Sequence, residues 1–347
     1  MHSIGFACIH IYSDPEEPRM MQAAARARSN IALVKYWGKR QKRLNLPAVG
    51  SVSITLEALA SDTQVTFDTA FEQDDLVLDG ERRSDQLTRV SQCLDILRDI
   101  AGTQARAHVT STNNFPTAAG LASSASGFAA LVAAADSALG LGLSSRELSI
   151  VARRGSGSAA RSIFGGFVEM HPGRYDDGTD CYAEPLLDAR EWPLEVVVAV
   201  TAQGPKAVSS GSGMARSAET SPYYAQWVAT HPADMNAAHV AIAQRDFDGL
   251  ATVSESSCLK MHAAAMATRP PLVYWNGVTV ECMHAVTAMR RSGVPVFFTI
   301  DAGPQLKAIC APDHARSVQT ALGEVPGVIE TLHSGLGPGV EVLSKAA

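Results

Sequence analysis

The six cysteines (Cys8, Cys93, Cys181, Cys258, Cys282 and Cys310) are scattered singly, without a C-x-x-C or any regular spacing. That argues against a disulfide framework and a thiolate zinc site, and reads as reduced thiols in a cytoplasm. Basic charge is also short: 29 Lys and Arg stand against 35 Asp and Glu, a formal net charge of −6. A nucleic-acid binder would show a basic face, and no nucleic-acid motif is present. No apolar run approaches the roughly 18 to 20 residues that a membrane helix needs. Residues 1–20 have no signal-peptide layout, and their acidic, proline-containing piece (Asp14 to Pro18) reads as a disordered arm outside the fold. What remains, 347 residues that are 46% hydrophobic and 18% charged, suits a globular enzyme with two cores. We place the domains at 21–190 and 191–347.

The stretch around which the chain is organised runs from Asn113 to Leu131. Pro116 cannot continue a strand, and the small residues after it let the backbone turn tightly and bring N–H groups to a ligand. From Gly120 the pattern turns helical, with Leu121, Phe128 and Leu131 near one face and alanine-rich filler to about Leu139. A helix start carrying Ser123, Ser124 and Ser126 suits phosphate. It has neither the Gly-Lys-Ser/Thr ending of a P-loop nor Gly-x-Gly-x-x-Gly, and by itself it fits a close-packed helix pair equally well.

Between Glu17 and Glu57 the chain has no acidic residue, while Arg26, Arg28, Lys35, Lys39, Arg40, Lys42 and Arg43 crowd together. A solvated basic loop and an anion site both account for this, and Lys35 and Lys39 bracketing Tyr36-Trp37 favour the anion site. Ile31 to Val34 suits a buried strand; Val52 to Leu56 and Gln64 to Phe67 read as a hairpin or meander. An amphipathic helix from about Asp85 to Ile100 has a structural role, and Ser144 with Glu147 forms a capping box for the next helix. That helix ends in Gly155-Ser-Gly-Ser-Ala-Ala-Arg161, a small-residue turn whose arginine is either a surface residue or a fork for a carboxylate or phosphate. After a boundary near 185–195, Val196 to Thr201 reads as a strand, Lys206 to Met214 as another glycine-serine segment, and Ala237 to Met266 and Val278 to Arg291 as helices. The strand Val296 to Ile300 runs into Asp301-Ala-Gly-Pro304, where the aspartate could also be only a turn cap.

Five pieces coincide with one family: Asn30 to Lys39, Asn114 to Ser126, Gly155 to Ser162, Ser209 to Met214 and Asp301 to Pro304. They span residues 26 to 304 in the family's order. With them the sequence resembles the GHMP small-molecule kinases and, among these, the diphosphomevalonate decarboxylase branch. The resemblance implies an α/β (α+β) chain of two domains, the first ribosomal-protein-S5-like and the second ferredoxin-like, with the active site between them. It implies ATP and Mg²⁺ as cofactors, mevalonate 5-diphosphate as the small-molecule substrate, a cytoplasmic location and a homodimer, with no nucleic-acid or membrane partner.

Residue by residue, Asp301 matches the base for the C3 hydroxyl, Arg161 holds the substrate carboxylate with Asn30 beside it, and Lys39 is counted with these catalytic groups. Tyr36, Lys39, Ser156, Ser158, Arg161, Ser210 and Met214 are the substrate-binding candidates. Pro116, Ala118, Gly120, Leu121, Ala122, Ser123, Ser124 and Ser126 are the nucleotide candidates, Ser124 also for the metal. The sequence departs from the pattern at Ala48-Val-Gly-Ser51, Ala160 and Gly211, which leaves diphosphate against monophosphate recognition open. The alternatives are a related enzyme acting on mevalonate 5-phosphate or mevalonate, as a phosphomevalonate decarboxylase or a 3-kinase, and a non-catalytic sensor.

Overall fold

The computed structural model describes residues 20–115, 123–204 and 206–345. The chain begins with β1 (Met21–Val34), a short ribbon of β2 (Lys39–Gln41) and β3 (Leu46–Pro47), then β4 (Ser51–Asp68), β5 (Asp75–Leu78) and β6 (Glu81–Arg82). Helix α1 (Ser84–Ala101), β7 (Arg106–Asn113), α2 (Ser123–Leu139), α3 (Ser145–Gly155), β8 (Phe167–Met170) and β9 (Ala183–Leu187) follow. The second half comprises β10 (Glu195–Val200), α4 (Ser210–Thr220), α5 (Tyr224–Gln244), α6 (Phe247–Met266), α7 (Gly277–Arg291), β11 (Val296–Ile300), β12 (Leu306–Cys310), α8 (Ala315–Gly323), β13 (Glu330–Gly335) and β14 (Glu341–Lys345).

The mixed α/β two-domain architecture expected from the sequence is present as two sheets. In the first, of eight strands, the order is β14-β1-β4-β7-β5-β6, with β8 pairing the first part of β4 and β9 pairing β8. The second has the order β11-β12-β10-β13 and is antiparallel throughout. The expected hairpin over 52–67 is instead one continuous strand, β4. β1 runs along nearly its whole length with two register shifts, so the polar residues between the two apolar stretches pair with β1 rather than turning. The division placed at 190/191 leaves β14 beyond the boundary in sequence although it completes the first sheet against β1.

Helix α2 is buried nearly all round, from Ala125 to Ala138, which explains why small residues fill it. It lies across β1 and β4 with α1 and α3 beside it. Strand β10 reads as an unbroken apolar run because both of its faces are covered. Val196, Val198 and Val200 join Phe297 and Ile309 in a core shared with β1, β4, α5 and α6, and Val197 and Ala199 face the α7 and α8 side. The long helical pattern ending at Met266 is broken at Arg245, which is left-handed, and Asp246, whose side chain caps α6 by accepting from Gly249 N. The capping box of Ser144 and Glu147 at α3 is formed as expected.

Candidate functional site

The two sheets meet around the end of β1, and the polar side chains there follow from strand alternation. On β11, Phe297 and Thr299 face the first lobe and Asp301 comes next after the strand; on the paired strand, Lys307 stands opposite Thr299. Lys35 leaves the end of β1, its backbone N–H bonded to Ser257 Oγ of α6 at 3.0 Å. Its ammonium reaches Asp301 Oδ1 at 2.7 Å and Ala32 O at 2.7 Å, while Lys307 Nζ lies 3.2 Å from Asp301 Oδ2. Both lysine side chains are 1% exposed and Asp301 is 26% exposed, so the carboxylate is gripped from the protein side and open on the other. Burial acts to raise the Asp301 pKa, but the two ammonium groups outweigh it and hold the carboxyl well below the usual carboxylate range.

The Gly155–Arg161 turn brings the second element. Its glycines are required by contact: a Cβ on Gly157 would lie 2.4 Å from Tyr36 Oη, and one on Gly155 would run into the Phe128 ring. Arg161 is buried, donating from Nη1 to Ser51 Oγ at 2.6 Å and from Nε and Nη2 to Asn30 Oδ1 at 3.2 and 3.0 Å. Asn30 donates in turn to Ser158 O and Ser162 Oγ. Burial lowers the Arg161 pKa to about 10, which still leaves it a cation at neutral pH. Tyr36 Oη is buried without a hydrogen-bond partner among the described residues, and burial raises its pKa. Such an orphaned hydroxyl beside an open space is a vacant donor for a ligand oxygen.

Asn30, Lys35, Tyr36, Arg161 and Asp301 line one cavity of about 670 Å³, within the usual size of a small-molecule site, and Lys307 stands behind Asp301. Among the described residues, eight cations line the cavity (Lys35, Lys39, Lys42, Arg43, Arg89, Arg154, Arg161 and Lys206) against a single carboxylate, Asp301. That ratio fits a polyanion carrying several phosphates and no cationic ligand. Burial, with Arg89 and Lys42 nearby, lowers the Lys39 pKa; burial also lowers that of Lys206, whose ammonium donates to Ser210 Oγ at 2.8 Å and Ala302 O at 2.9 Å. Ser156, Ser158, Ser210 and Met214 all line the same space. Trp37 lines it too, but its indole is fixed, donating to Ser217 Oγ at 3.0 Å and edge-on to Tyr274.

The nucleotide candidates divide. Pro116, Ala118, Gly120, Leu121 and Ala122 lie outside the described residues. Ser124 is exposed at the start of α2 and lines the main cavity, its Oγ 3.4 Å from Ser156 Oγ. Ser123 lines an adjoining cavity of about 430 Å³ walled by Leu76, Val90, Phe128 and Leu131. Ser126 is brought to neither: it is fully buried, its hydroxyl 2.7 Å from Ser61 Oγ and donating to Ser123 O, because helical periodicity turns it into the sheet.

Sequence reasoning placed Lys35 with Lys39 toward an anion site without giving it a role, and missed Lys307, Lys206 and Arg89 as site residues. Lys307 had a readable signal, a lone ammonium inside the apolar strand Leu306–Cys310. Arg89 had none. Helix α1 was expected to be purely structural, yet Arg89 reaches across to the Gly155 carbonyl and over Phe128 at 4.8 Å, so this helix also supplies the cavity rim.

Set beside known proteins, residues 27–183 match the diphosphomevalonate decarboxylase-like N-terminal domain and residues 196–332 the mevalonate 5-diphosphate decarboxylase C-terminal domain. The diphosphomevalonate decarboxylase of Candida albicans is 35% identical over 361 residues, covering 94% of this chain and 99% of that one. The human enzyme is 37% identical over 297 residues, covering 79% and 73%. Among solved structures, mevalonate diphosphate decarboxylase from Staphylococcus aureus superposes with a TM-score of 0.89 at 38% identity, covering 94% of this chain and 99% of that one. A structure of MDDEF in complex with MVAPP, AMPPCP and magnesium does so with a TM-score of 0.87 at 39% identity, covering 94% and 100%.

Proposed function

The chain belongs to the diphosphomevalonate decarboxylase family, and from that premise we propose that it converts mevalonate 5-diphosphate and ATP to isopentenyl diphosphate, ADP, phosphate and CO₂. The observation that carries this is Asp301, the one carboxylate lining a cavity otherwise edged by cations, with Arg161 in the same space.

In this reading Arg161, held by Asn30 and Ser51, takes the substrate carboxylate, and Tyr36, Lys39, Ser156, Ser158 and Ser210 surround the diphosphate. Met214 and Trp37 form the apolar wall that keeps water from C3. The C3 hydroxyl oxygen attacks the γ-phosphorus of ATP, ADP leaves, and the hydroxyl proton passes to Asp301. A carboxylate held this far down takes the proton late, once the oxygen has begun to bond phosphorus and has become acidic. The C3–O bond then breaks with its electron pair going to phosphate. The bond from C2 to the carboxylate breaks, its pair forming the new double bond as CO₂ departs.

Lys206 and Ser124 suit the nucleotide phosphates, and the eight-to-one excess of cations over carboxylates supports a site for two polyphosphates together. The family's magnesium ion would neutralise phosphate charge. Ser124, whose hydroxyl lines the cavity, would offer it one protein oxygen. The five described cysteines are free and buried, which supports a reducing cytoplasm. A homodimer is the working unit on the family's habit, and sedimentation velocity tests it.

The test of the reaction is ADP and CO₂ counted together from purified protein with Mg-ATP and mevalonate 5-diphosphate, with the 5-monophosphate and mevalonate in parallel. Equal amounts from the diphosphate are expected. ADP without CO₂ would make the chain a 3-kinase, and no turnover of any of the three would make it a sensor.

A further inference from the structure

Away from the cavity, the β8–β9 hairpin carries an arrangement that the reaction does not use. Glu169 on β8 and Glu184 on β9 are directly opposite partners in the antiparallel register, so their side chains share one face of the sheet. Like charges in that position repel. Neither carboxylate has a lysine or arginine within ion-pair distance among the described residues, and imidazoles alone face them. His171, two residues beyond Glu169, places Nδ1 3.6 Å from Glu169 Oε1 and Nε2 2.7 Å from Glu184 Oε1. From α5, His239 Nε2 comes within 2.9 Å of Glu169 Oε2. The Glu169 side chain is only 10% exposed, so its charge is largely removed from water without a permanent cation to balance it.

We propose that Glu169, His171 and Glu184 hold a divalent transition-metal ion of the zinc or manganese class, with His239 beside the second oxygen of Glu169. One ligand atom from each of the three lies within 4.8 Å of the others, against at most about 4.4 Å across an ion with bonds of about 2.0–2.2 Å, so the carboxylates draw in by a few tenths of an ångström when the ion binds. An imidazole among carboxylates selects transition metals over magnesium and calcium, and the absence of a thiolate disfavours soft cations. Three protein ligands leave open positions that water fills. The ion lies where β8 pairs β4 at Val52 and Ser51, and Ser51 accepts the Arg161 hydrogen bond, so it sits behind the strand that backs the substrate site.

The test uses the full chain, stripped with chelator and free of nucleotide. Mn²⁺ is titrated in while the signal of the free ion is followed by electron paramagnetic resonance. One equivalent per chain is expected, displaced by Zn²⁺ and not by equal Mg²⁺ or Ca²⁺. Glu184→Gln, at a half-exposed side chain that the fold does not need, weakens binding at least about tenfold, as does His171→Gln. The melting temperature of the unaltered protein rises with Zn²⁺ concentration, and that of Glu184→Gln does not. Three results overturn the proposal: no saturable binding, which leaves His171 bridging the two carboxylates by itself; binding unchanged in both variants; or Mg²⁺ competing as well as Zn²⁺.

Discussion

At and behind the inner end of the cavity Lys35, Lys307 and Arg161 are buried and each is held by named hydrogen bonds or ion pairs; at the outer rim Lys42 and Arg43 stand in solvent, and Arg89, also exposed, is anchored only at the Gly155 carbonyl and the Phe128 ring. The same charge therefore does different work. Inside, water is excluded and position is fixed, so each cation can change how the reacting groups ionise and align. Outside, long flexible side chains are screened and raise the local concentration of a polyanion without fixing it.

Four substitutions probe that difference, and the largest effect belongs at the centre. Asp301→Asn removes the proton acceptor and is expected to lower kcat/KM by about 10²- to 10⁴-fold, measured as CO₂ release, with nucleotide binding retained. Arg161→Lys keeps the charge but loses the fork to Asn30 and Ser51. A cost of about 10- to 100-fold, that of charge-assisted hydrogen bonds, should appear in the same assay.

Lys307→Met reads the electrostatics directly. Asp301 is held below the usual carboxylate range by two ammonium groups, so it stays ionised as the pH falls through that range and activity that needs the carboxylate persists. Removing one ammonium raises the Asp301 pKa, and the acid limb of kcat/KM against pH should move upward. An unmoved limb would mean that Lys307 is only a packing residue. Smallest is Arg89→Ala at the rim: a two- to fivefold rise in KM, roughly the worth of an exposed charge contact, is expected with kcat unchanged. The rise should fade at high salt.

The inner end was also the more legible in the sequence. Asp301, Arg161 and Asn30 stand in short runs of small or apolar residues, where a polar group signals an interior task, and the structure brings all three to one space. Lys307 was missed because its partner is set by pairing between β11 and β12, a register that local pattern does not contain. The fusion of two expected strands into β4 has the same origin, since the polar positions between them are satisfied by β1. Ser126 shows the reverse error: three serines at one helix start look alike in sequence, and only the helix's rotation against the sheet separates the exposed Ser124 from the buried Ser126. Rim residues such as Arg89 sit on an ordinary amphipathic helix and carry no local mark at all.

The return of β14 to the first sheet has a mechanical consequence. The second lobe is joined to the first by two crossings, residues 188–194 and 336–340, and the latter is laced down by Gly337 N to Thr55 O at 2.8 Å and Gly166 N to Gly337 O at 3.0 Å. A body hung from two pins cannot swivel freely about either; it turns only about the line through both. Two tethers thus bound the cavity between the lobes, and Lys35 and Asp301, one from each lobe, face each other across the joint that the tethers hold.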